Sequence, residues 1–336
     1  MPPVGVVIVS WNVRDLLHEA LASLAASTAP TRVVVVDNAS TDGSAAMVAA
    51  AFPAVALIAN ADNRGFTAGN NQGFAALGVD VRARRVAPGA PRHVLMLNPD
   101  AAVAPDAVAL LAGYLDAHPD AGAVGPLVLN PDGSEQPSRR RFPTPLTGLL
   151  ESTPLGWRWP GSPAARRFHM ADVPIGSDGP VDWVTGAALM VRSDALAAAG
   201  GFDEGFFMYS EEVDLCRRLR DAGWATHFCG AARVTHHEGK SSEQGLAARH
   251  VRFHRSRVRY FWKHHGRAAA ETVRLGVLAM FALEALVETG KGLLGHRRDL
   301  RWARARAYAG LLRDGLAPAA DDPVRGGGGP RADGLG

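Results

Sequence analysis

Two cysteines, three lysines and no long apolar run set the first limits on this 336-residue sequence. Cys216 and Cys229 stand 13 positions apart without a CxxC pair, so neither a zinc site nor a disulfide framework is indicated. They fit a reducing compartment. The stretch 271–294 is apolar, but Glu284, Glu288 and Lys291 interrupt it. Its longest uncharged run, Leu275–Leu283, is nine residues, against about 20 needed to span a bilayer. The start, MPPVGVVIVSWN, has no basic leader and too short an apolar run for a signal peptide. A cytoplasmic location is expected. Missing too are GxGxxG and GxxxxGK[ST]: the first βα turn reads SWNVRD, which supports neither a dinucleotide cradle nor a P-loop.

What is present is a large core and an uneven charge. Hydrophobic residues are 47%, charged residues 21%, and mean hydropathy is -0.02. Those values exclude a mainly disordered chain and a polytopic membrane protein. The length fits about two domains, or one large α/β domain with additions. Residues 1–248 carry 19 Lys+Arg against 25 Asp+Glu, a net of -6. Residues 249–313 carry 15 against 4, a net of +11. Such a basic C-terminal segment suits an anionic surface, although a solvated helix face would also carry it.

The first 130 residues alternate short β-branched runs with helical patterns. Val4–Ser10 and Arg32–Asp37 read as strands buried on both faces. Arg14–Ala26 between them puts Leu16, Leu17, Ala20, Leu21 and Leu24 on one helical face. Val55–Ala59, His93–Asn98 and Ala123–Leu129 add strands, with helices near 43–51, 67–77 and 105–117. This alternation predicts an α/β fold with a parallel sheet and crossover helices. From 130 to about 180 the periodicity fades into Pro, Gly, Ser and Arg, as in a functional or disordered loop. Order returns at Val181–Arg192, with helices near 193–199, Glu211–Ala222 and 249–265. The segment 271–294 suits either an interfacial helix or an ordinary amphipathic one. The end, from 317, reads as a disordered tail.

Four segments carry candidate chemistry. In VVVVDNASTDGS, a buried strand delivers Asp37 to the C-terminal sheet edge, where ligands of open α/β sheets bind. Asn38, Ser40 and Thr41 follow as a polar turn, and Asp42 can cap the next helix. In HVLMLNPDA, the strand stops at Asn98-Pro99-Asp100, since proline cannot continue a central strand. A carboxylate there, beside a diphosphate, suits Mg²⁺ or Mn²⁺. In GGFDEGFFMYSEEVDLCRRLRDAGW, Glu211, Glu212 and Asp214 cluster at a helix start behind Phe206, Phe207 and Tyr209. The helix dipole favours acids there anyway. A carboxylate with raised pKa in such surroundings can take a proton from a hydroxyl nucleophile. In VTHHEGKSS, His236 becomes interesting because Asp100 needs further ligands.

Together VVIVSWN, VDNASTDGS, NRGFTAGNNQG, LNPD, VTGAALMVR, the GGFDEGFF segment and VTHHEGKSS occur in the order of glycosyltransferase family 2. The sequence resembles that family, and most of all its bacterial rhamnosyltransferase-like members, over about residues 4–265. The resemblance implies a GT-A fold: a Rossmann-like, mostly parallel central sheet flanked by helices, with a C-terminal helical extension. Residues 1–248 would be the transferase domain, with a donor half of about 1–130 and an acceptor half of about 131–248. A basic, membrane-associating extension over 249–316 and the tail from 317 to 336 would complete the chain.

The same resemblance assigns roles. Asp37 would contact the nucleobase or ribose, with Ser10, Trp11, Asn12, Asn38 and Ser40 lining that pocket. Arg64, Gly65 and Asn70 would sit near the donor. Asn98 and Asp100 stand at the DxD-type motif, leaving Asp100 as the metal carboxylate and His236 as a second ligand for Mg²⁺ or Mn²⁺. Trp183, Thr185, Gly186 and Tyr209 would shape the acceptor pocket. Glu212 falls at the catalytic base, with Glu211 and Asp214 as rivals. Two positions depart from the usual pattern: Asn98 replaces an acid, and Glu212 is one methylene longer than Asp.

The expected activity is inverting transfer of a sugar from a dTDP- or UDP-sugar to a hydroxyl of a glycan or lipid-linked saccharide. Rhamnose is the sugar favoured by the resemblance, and cell-envelope polysaccharide synthesis the setting. An anionic membrane surface is an expected partner and nucleic acid is not. Three alternatives differ in class: a nucleotidyltransferase acting on a sugar phosphate, a glycosidase with two flanking carboxylates, and a non-enzymatic binder of nucleic acid or another anionic surface.

Overall fold

The computed structural model describes residues 2–237, 246–295 and 297–317. Strand β1 (Val4–Ser10) is buried throughout, and β2 (Thr31–Asp37) over its last five residues. Continuous apolar runs behave this way when helices cover both faces of a sheet. Helix α1 (Arg14–Ala25) joins them and buries Leu17, Ala20, Leu21 and Leu24. Then come α2 (Ser44–Ala51), β3 (Ala56–Ala59), α3 (Phe66–Ala76), the short β4 (Val79–Asp80) and β5 (Arg85–Val86), and β6 (His93–Leu97). Next are β7 (Ala101–Val103), α4 (Ala107–Ala117) and β8 (Ala121–Leu129).

Beyond β8 lie β9 (Glu135–Gln136), β10 (Arg139–Arg140), α5 (Pro145–Leu150), α6 (Pro154–Arg158) and α7 (Pro163–Phe168). Sequence periodicity gives no helices here, and the structure corrects that expectation. Each helix opens on a hydroxyl residue followed by proline: Thr144-Pro145, Thr153-Pro154 and Ser162-Pro163. The hydroxyl oxygen accepts a first-turn N–H, and proline supplies a preset φ where no donor is needed. Such helices are too short for a 3.6-residue stripe to register.

The remaining elements are β11 (Gly179–Val181), β12 (Trp183–Val184), β13 (Ala188–Arg192), α8 (Ser193–Ala199), α9 (Glu211–Asp221) and β14 (Ala225–His236). Helix α10 (Leu246–Leu293), broken at Gly266, and α11 (Arg298–Asp314) close the described chain. The main sheet runs β11-β14-β8-β13-β6-β1-β2-β3. Strands β3, β2, β1 and β6 are mutually parallel; β13 enters antiparallel between β6 and β8, and β14 lies parallel to β8. Six of the eight point one way, with β13 and β11 reversed. The expected mostly parallel sheet is present.

Two apolar clusters fill the faces of this sheet. A third joins Phe206 and Val213 to Val258, Phe261, Val273, Val277, Phe281 and Leu311. Residues 249–317 therefore share a core with the α9 region. Within 271–294, Val273, Val277 and Phe281 are buried, while Leu275, Leu283, Leu286 and Leu293 are exposed. One face packs on the protein and the other faces solvent. The tail after Ala317 and residues 238–242 of VTHHEGKSS lie outside the described residues.

Candidate active site

Strands β1, β2 and β6 end along one side of a cavity of about 640 Å³. Their register places Ser10 beside Asp37. The Asp37 carboxylate accepts the Ser40 N–H at 3.0 Å through Oδ2, while its buried Oδ1 has no hydrogen-bond partner among the described residues. Ser10 Oγ is unpartnered in the same sense. Buried polar atoms left this way have a ligand-shaped need. The two loops are stitched together: the Asn12 N–H donates to Ser40 Oγ at 2.9 Å, and Asn12 Oδ1 accepts from the Thr41 N–H at 2.7 Å. Asp42 serves both following helices, accepting from the Ser44 N–H at 3.0 Å and the Arg14 N–H at 2.8 Å.

Asn38 donates to the Gly65 carbonyl at 3.0 Å. Gly65 has φ +85°, and a Cβ there would come within 2.7 Å of the Phe207 ring and carbonyl. Only glycine fits. Ser10, Trp11, Asn38, Gly65 and Asn98 line the cavity. Asn12, Asp37, Ser40, Arg64, Asn70 and Asp100 are not among its lining residues. Arg64 is exposed, with Nε 3.7 Å from Asp62. Asn70 is 1% exposed and donates to the Phe66 carbonyl of its own helix at 2.9 Å. A one-residue step around a helix or turn separates facing the ligand from supporting the wall.

The Asn98-Pro99-Asp100 turn sends the chain from β6 into β7, which pairs antiparallel with β14. In that register His236 opposes Ala101, so its ring meets the preceding residue, Asp100. His236 Nε2 lies 3.2 Å from Asp100 Oδ1. Gln136 decides which imidazole nitrogen carries hydrogen. Its amide nitrogen is 2.7 Å from the His236 carbonyl, an acceptor only, so its Oε1 must face His236 Nδ1 at 3.0 Å. Nδ1 is therefore the donor, and Nε2 turns a lone pair toward the carboxylate. Asn98 Nδ2 lies 3.4 Å from the same Nε2, so an amide, an imidazole lone pair and a carboxylate meet at one point. A carboxylate, an imidazole and a hydrogen-bonded outer partner match a divalent-ion site completed by phosphate and water oxygens. Among the described residues no group of three or more His, Cys, Asp or Glu side chains forms a self-sufficient metal cage.

Helix α9 forms the facing wall. Tyr209 and Ser210 both have positive φ, 72° and 63°, a strained entry that costs about 1–3 kcal/mol per residue. It turns Glu211 and Glu212 into the cavity. Burial pushes the Glu212 carboxyl up to about 7, against the pull of nearby backbone N–H groups and Arg140. Burial, with Glu212 alongside, holds Glu211 well above the carboxylate range. One oxygen of each is buried without a hydrogen-bond partner among the described residues. Asp214 does not line the cavity. Burial alone would raise it, but Arg218 at 2.8 Å, His264 at 2.7 Å and Lys263 at 2.8 Å overcome that and hold it well below the usual range. It is a permanently charged anchor for α10. Trp183, Thr185, Gly186 and Tyr209 line the cavity beside Glu212.

Sequence motifs miss several lining residues. Gln136 and Arg140 lie in the stretch without periodicity. Arg249, Arg252, Phe253, Arg257 and Tyr260 of α10 also face the cavity. Their signal was a basic-aromatic stripe at intervals of three and four residues, which charge alone assigned to a surface partner.

Comparison with known proteins agrees with this geometry. The family model described as "Glycosyltransferase like family 2" matches residues 2–255. The N-acetylglucosaminyl-diphospho-decaprenol L-rhamnosyltransferase of Mycobacterium tuberculosis is 35% identical over 252 residues, covering 75% of this chain and 81% of that protein. The rhamnosyltransferase WbbL of Escherichia coli K12 is 27% identical over 244 residues, covering 71% and 86%. Among solved structures, the Pyrobaculum calidifontis mannosyltransferase PcManGT, in complex with GDP-Man and Mn²⁺, matches with TM-score 0.51 and 19% identity. It covers 94% of this chain and 87% of its own, a likeness of GT-A fold. With its ordered motifs, its sheet and these matches, the chain belongs to glycosyltransferase family 2 and is a glycosyltransferase of GT-A fold.

Proposed function

We propose that this enzyme transfers rhamnose, with inversion, from dTDP-rhamnose to a hydroxyl of a lipid-linked saccharide. The observation that carries the reading is one cavity with His236, backed by Asp100 at 3.2 Å, on one wall and Glu212 on the other. Glu212, up to about 7, accepts the proton of the acceptor hydroxyl as its oxygen attacks the anomeric carbon. Burial and the neighbouring Glu212 raise the Glu211 carboxyl well above its ordinary value, which disfavours a second negative charge beside that oxygen. Asp37 Oδ1 and Ser10 Oγ bind the nucleoside. Trp183 and Tyr209 orient the acceptor and exclude water. Asp100 and His236, with Asn98 beside them, would hold Mg²⁺ or Mn²⁺. Such an ion neutralises charge on a departing diphosphate. The rhamnosyl relatives support the choice of sugar.

The division proposed for the chain is a donor half to about 130, an acceptor half to about 248, and a basic extension over 249–316 that adds a wall to the site. Among the described residues no helix is long and apolar enough to cross a membrane. Attachment to the inner face of the cell membrane is proposed instead. Leu283, Leu286, Leu293 and Leu294 are exposed on a segment of net +11, and apolar contact plus charge gives two binding signals. Leu286→Glu with Leu293→Glu should abolish sedimentation with anionic vesicles. Unchanged sedimentation would refute the attachment.

The test of function is a thermal-shift panel of dTDP-, UDP- and GDP-sugars with and without Mn²⁺, followed by transfer to a lipid-linked acceptor. Binding to the folded state alone raises the melting point. Mn²⁺-dependent stabilisation by dTDP-rhamnose and formation of a rhamnosylated lipid are expected. Pyrophosphate release from a nucleoside triphosphate and sugar phosphate would instead mark a nucleotidyltransferase.

A further inference from the structure

Several arginines of the C-terminal helices are paired with carboxylates where they stand. Arg259 meets Asp203 at 3.1 Å, Arg274 meets Glu271 at 2.7 Å and Arg301 meets Glu288 at 2.6 Å. Arg249 and Arg252 differ. Both line the cavity, and neither has a carboxylate within ion-pair distance among the described residues. Arg252 instead lies over the Phe207 ring, 5.1 Å from its centroid. One helical turn and a half further on, Arg257 is buried and donates to the carbonyls of Gly148 and Glu151. The wall thus carries guanidinium charge in excess of its anions. Glu151, which also lines the cavity, is itself 3.3 Å from His169. Planar guanidinium groups left open in a concave site are built for phosphate oxygens.

Beside these arginines the wall gains the aromatic side chains of Trp157 and Phe168. His250 and Trp157 both meet Phe281 edge-on, at 6.0 and 6.1 Å between ring centroids, which sets the guanidinium end near the tryptophan. A second cavity of about 240 Å³ between α5, α6 and α7 shares Thr147, Glu151, Ser152, Trp157 and Phe168 with the main one. Trp157 and Trp159 are 49% and 60% exposed. Exposed indoles beside a cationic wall suit an amphiphile whose charged head joins a hydrocarbon chain. The donor's own diphosphate has a separate place at the Asp100–His236 pair.

We infer that Arg249 and Arg252 form a diphosphate subsite for the acceptor, and that the Trp157 groove takes the start of its hydrocarbon chain. This rests on the proposed lipid-linked acceptor and adds which residues recognise it. The test is calorimetric titration of the full chain with farnesyl diphosphate, which carries neither sugar nor nucleotide, and separately with dTDP and Mn²⁺. Arg249→Ala and Arg252→Ala should each weaken farnesyl diphosphate about tenfold, the loss of one charge-assisted hydrogen bond, with dTDP affinity unchanged. Trp157→Ala should weaken farnesyl diphosphate but not inorganic pyrophosphate. Equal loss of dTDP and farnesyl diphosphate would give these arginines to the donor and overturn the subsite. Absence of farnesyl diphosphate binding to the unaltered protein would overturn it as well. Turnover of dTDP-rhamnose onto a neutral alkyl glycoside, measured alongside, shows whether the transferase reading stands without it.

Discussion

The two walls of the cavity are made by opposite means. The sheet-edge wall, proposed above for the donor, is assembled from strand ends that lie side by side, and its contacts join neighbouring loops: Asn12 with Ser40 and Thr41, Asn38 with Gly65. The facing wall gathers residues from across the chain. Arg257 reaches the Gly148 carbonyl, and Lys263 bridges Asp203 at 2.7 Å and Asp214 at 2.8 Å. A parallel sheet edge acquires its geometry from register alone. The second wall depends on helices packed by apolar contact and ion pairs, and so on residues far from the chemistry.

That contrast can be broken at its strongest point first. Glu212→Gln should lower kcat about 10²–10⁴-fold, the usual worth of a positioned base, and spare dTDP affinity in the same preparation. A loss confined to KM would mean that Glu212 only binds. Next in size, Asp214→Asn removes the buried charge shared by Arg218, Lys263 and His264. It should cost about 3–5 kcal/mol in denaturant unfolding, as leaving cations without their buried partner does. An unchanged unfolding midpoint with turnover abolished would exchange the roles of Asp214 and Glu212.

Gln136→Leu sharpens the comparison from the donor side. It removes the group that fixes the His236 tautomer, and should weaken Mn²⁺ about 10–100-fold while the fold persists. Equal Mn²⁺ titrations for both proteins would dismiss that role. The smallest effect is Thr153→Ala, which removes the hydroxyl acceptor at the start of α6. It should cost about 1 kcal/mol. Thermal unfolding would register this, and a neutral result would show that packing on α10 alone holds α6.

Legibility followed the same division. Strands β1, β2 and β6 and helix α1 were plain in the sequence because their apolar spacing is local and long enough to repeat. Asp37, Asp100 and Glu212 stood out as candidates because Asp37 ends β2, Asp100 lies in the turn after β6 and Glu212 lies in the first turn of α9, all within an ordered set of motifs. Arg64 and Asn70 were near the right place, but their orientation depends on a turn that spacing does not describe. Helices α5 to α7 escaped because five or six residues hold no period, although their Thr-Pro and Ser-Pro starts were visible. The cavity-facing side of α10 escaped for a different reason. Its arginines advertise charge, and only the packing of Phe261, Val273 and Phe281 against Phe206 and Val213 turns that charge inward.

The central claim is that Glu212 is the base, and the pH dependence of kcat/KM tests it most directly. An essential base must be ionised, so a carboxyl at about 7 makes the rate climb with pH and level off above that value. The account predicts a rising limb centred near 7 in the unaltered enzyme and a flat residual profile in Glu212→Gln. A limb that survives in Glu212→Gln would contradict it and assign the proton to another group.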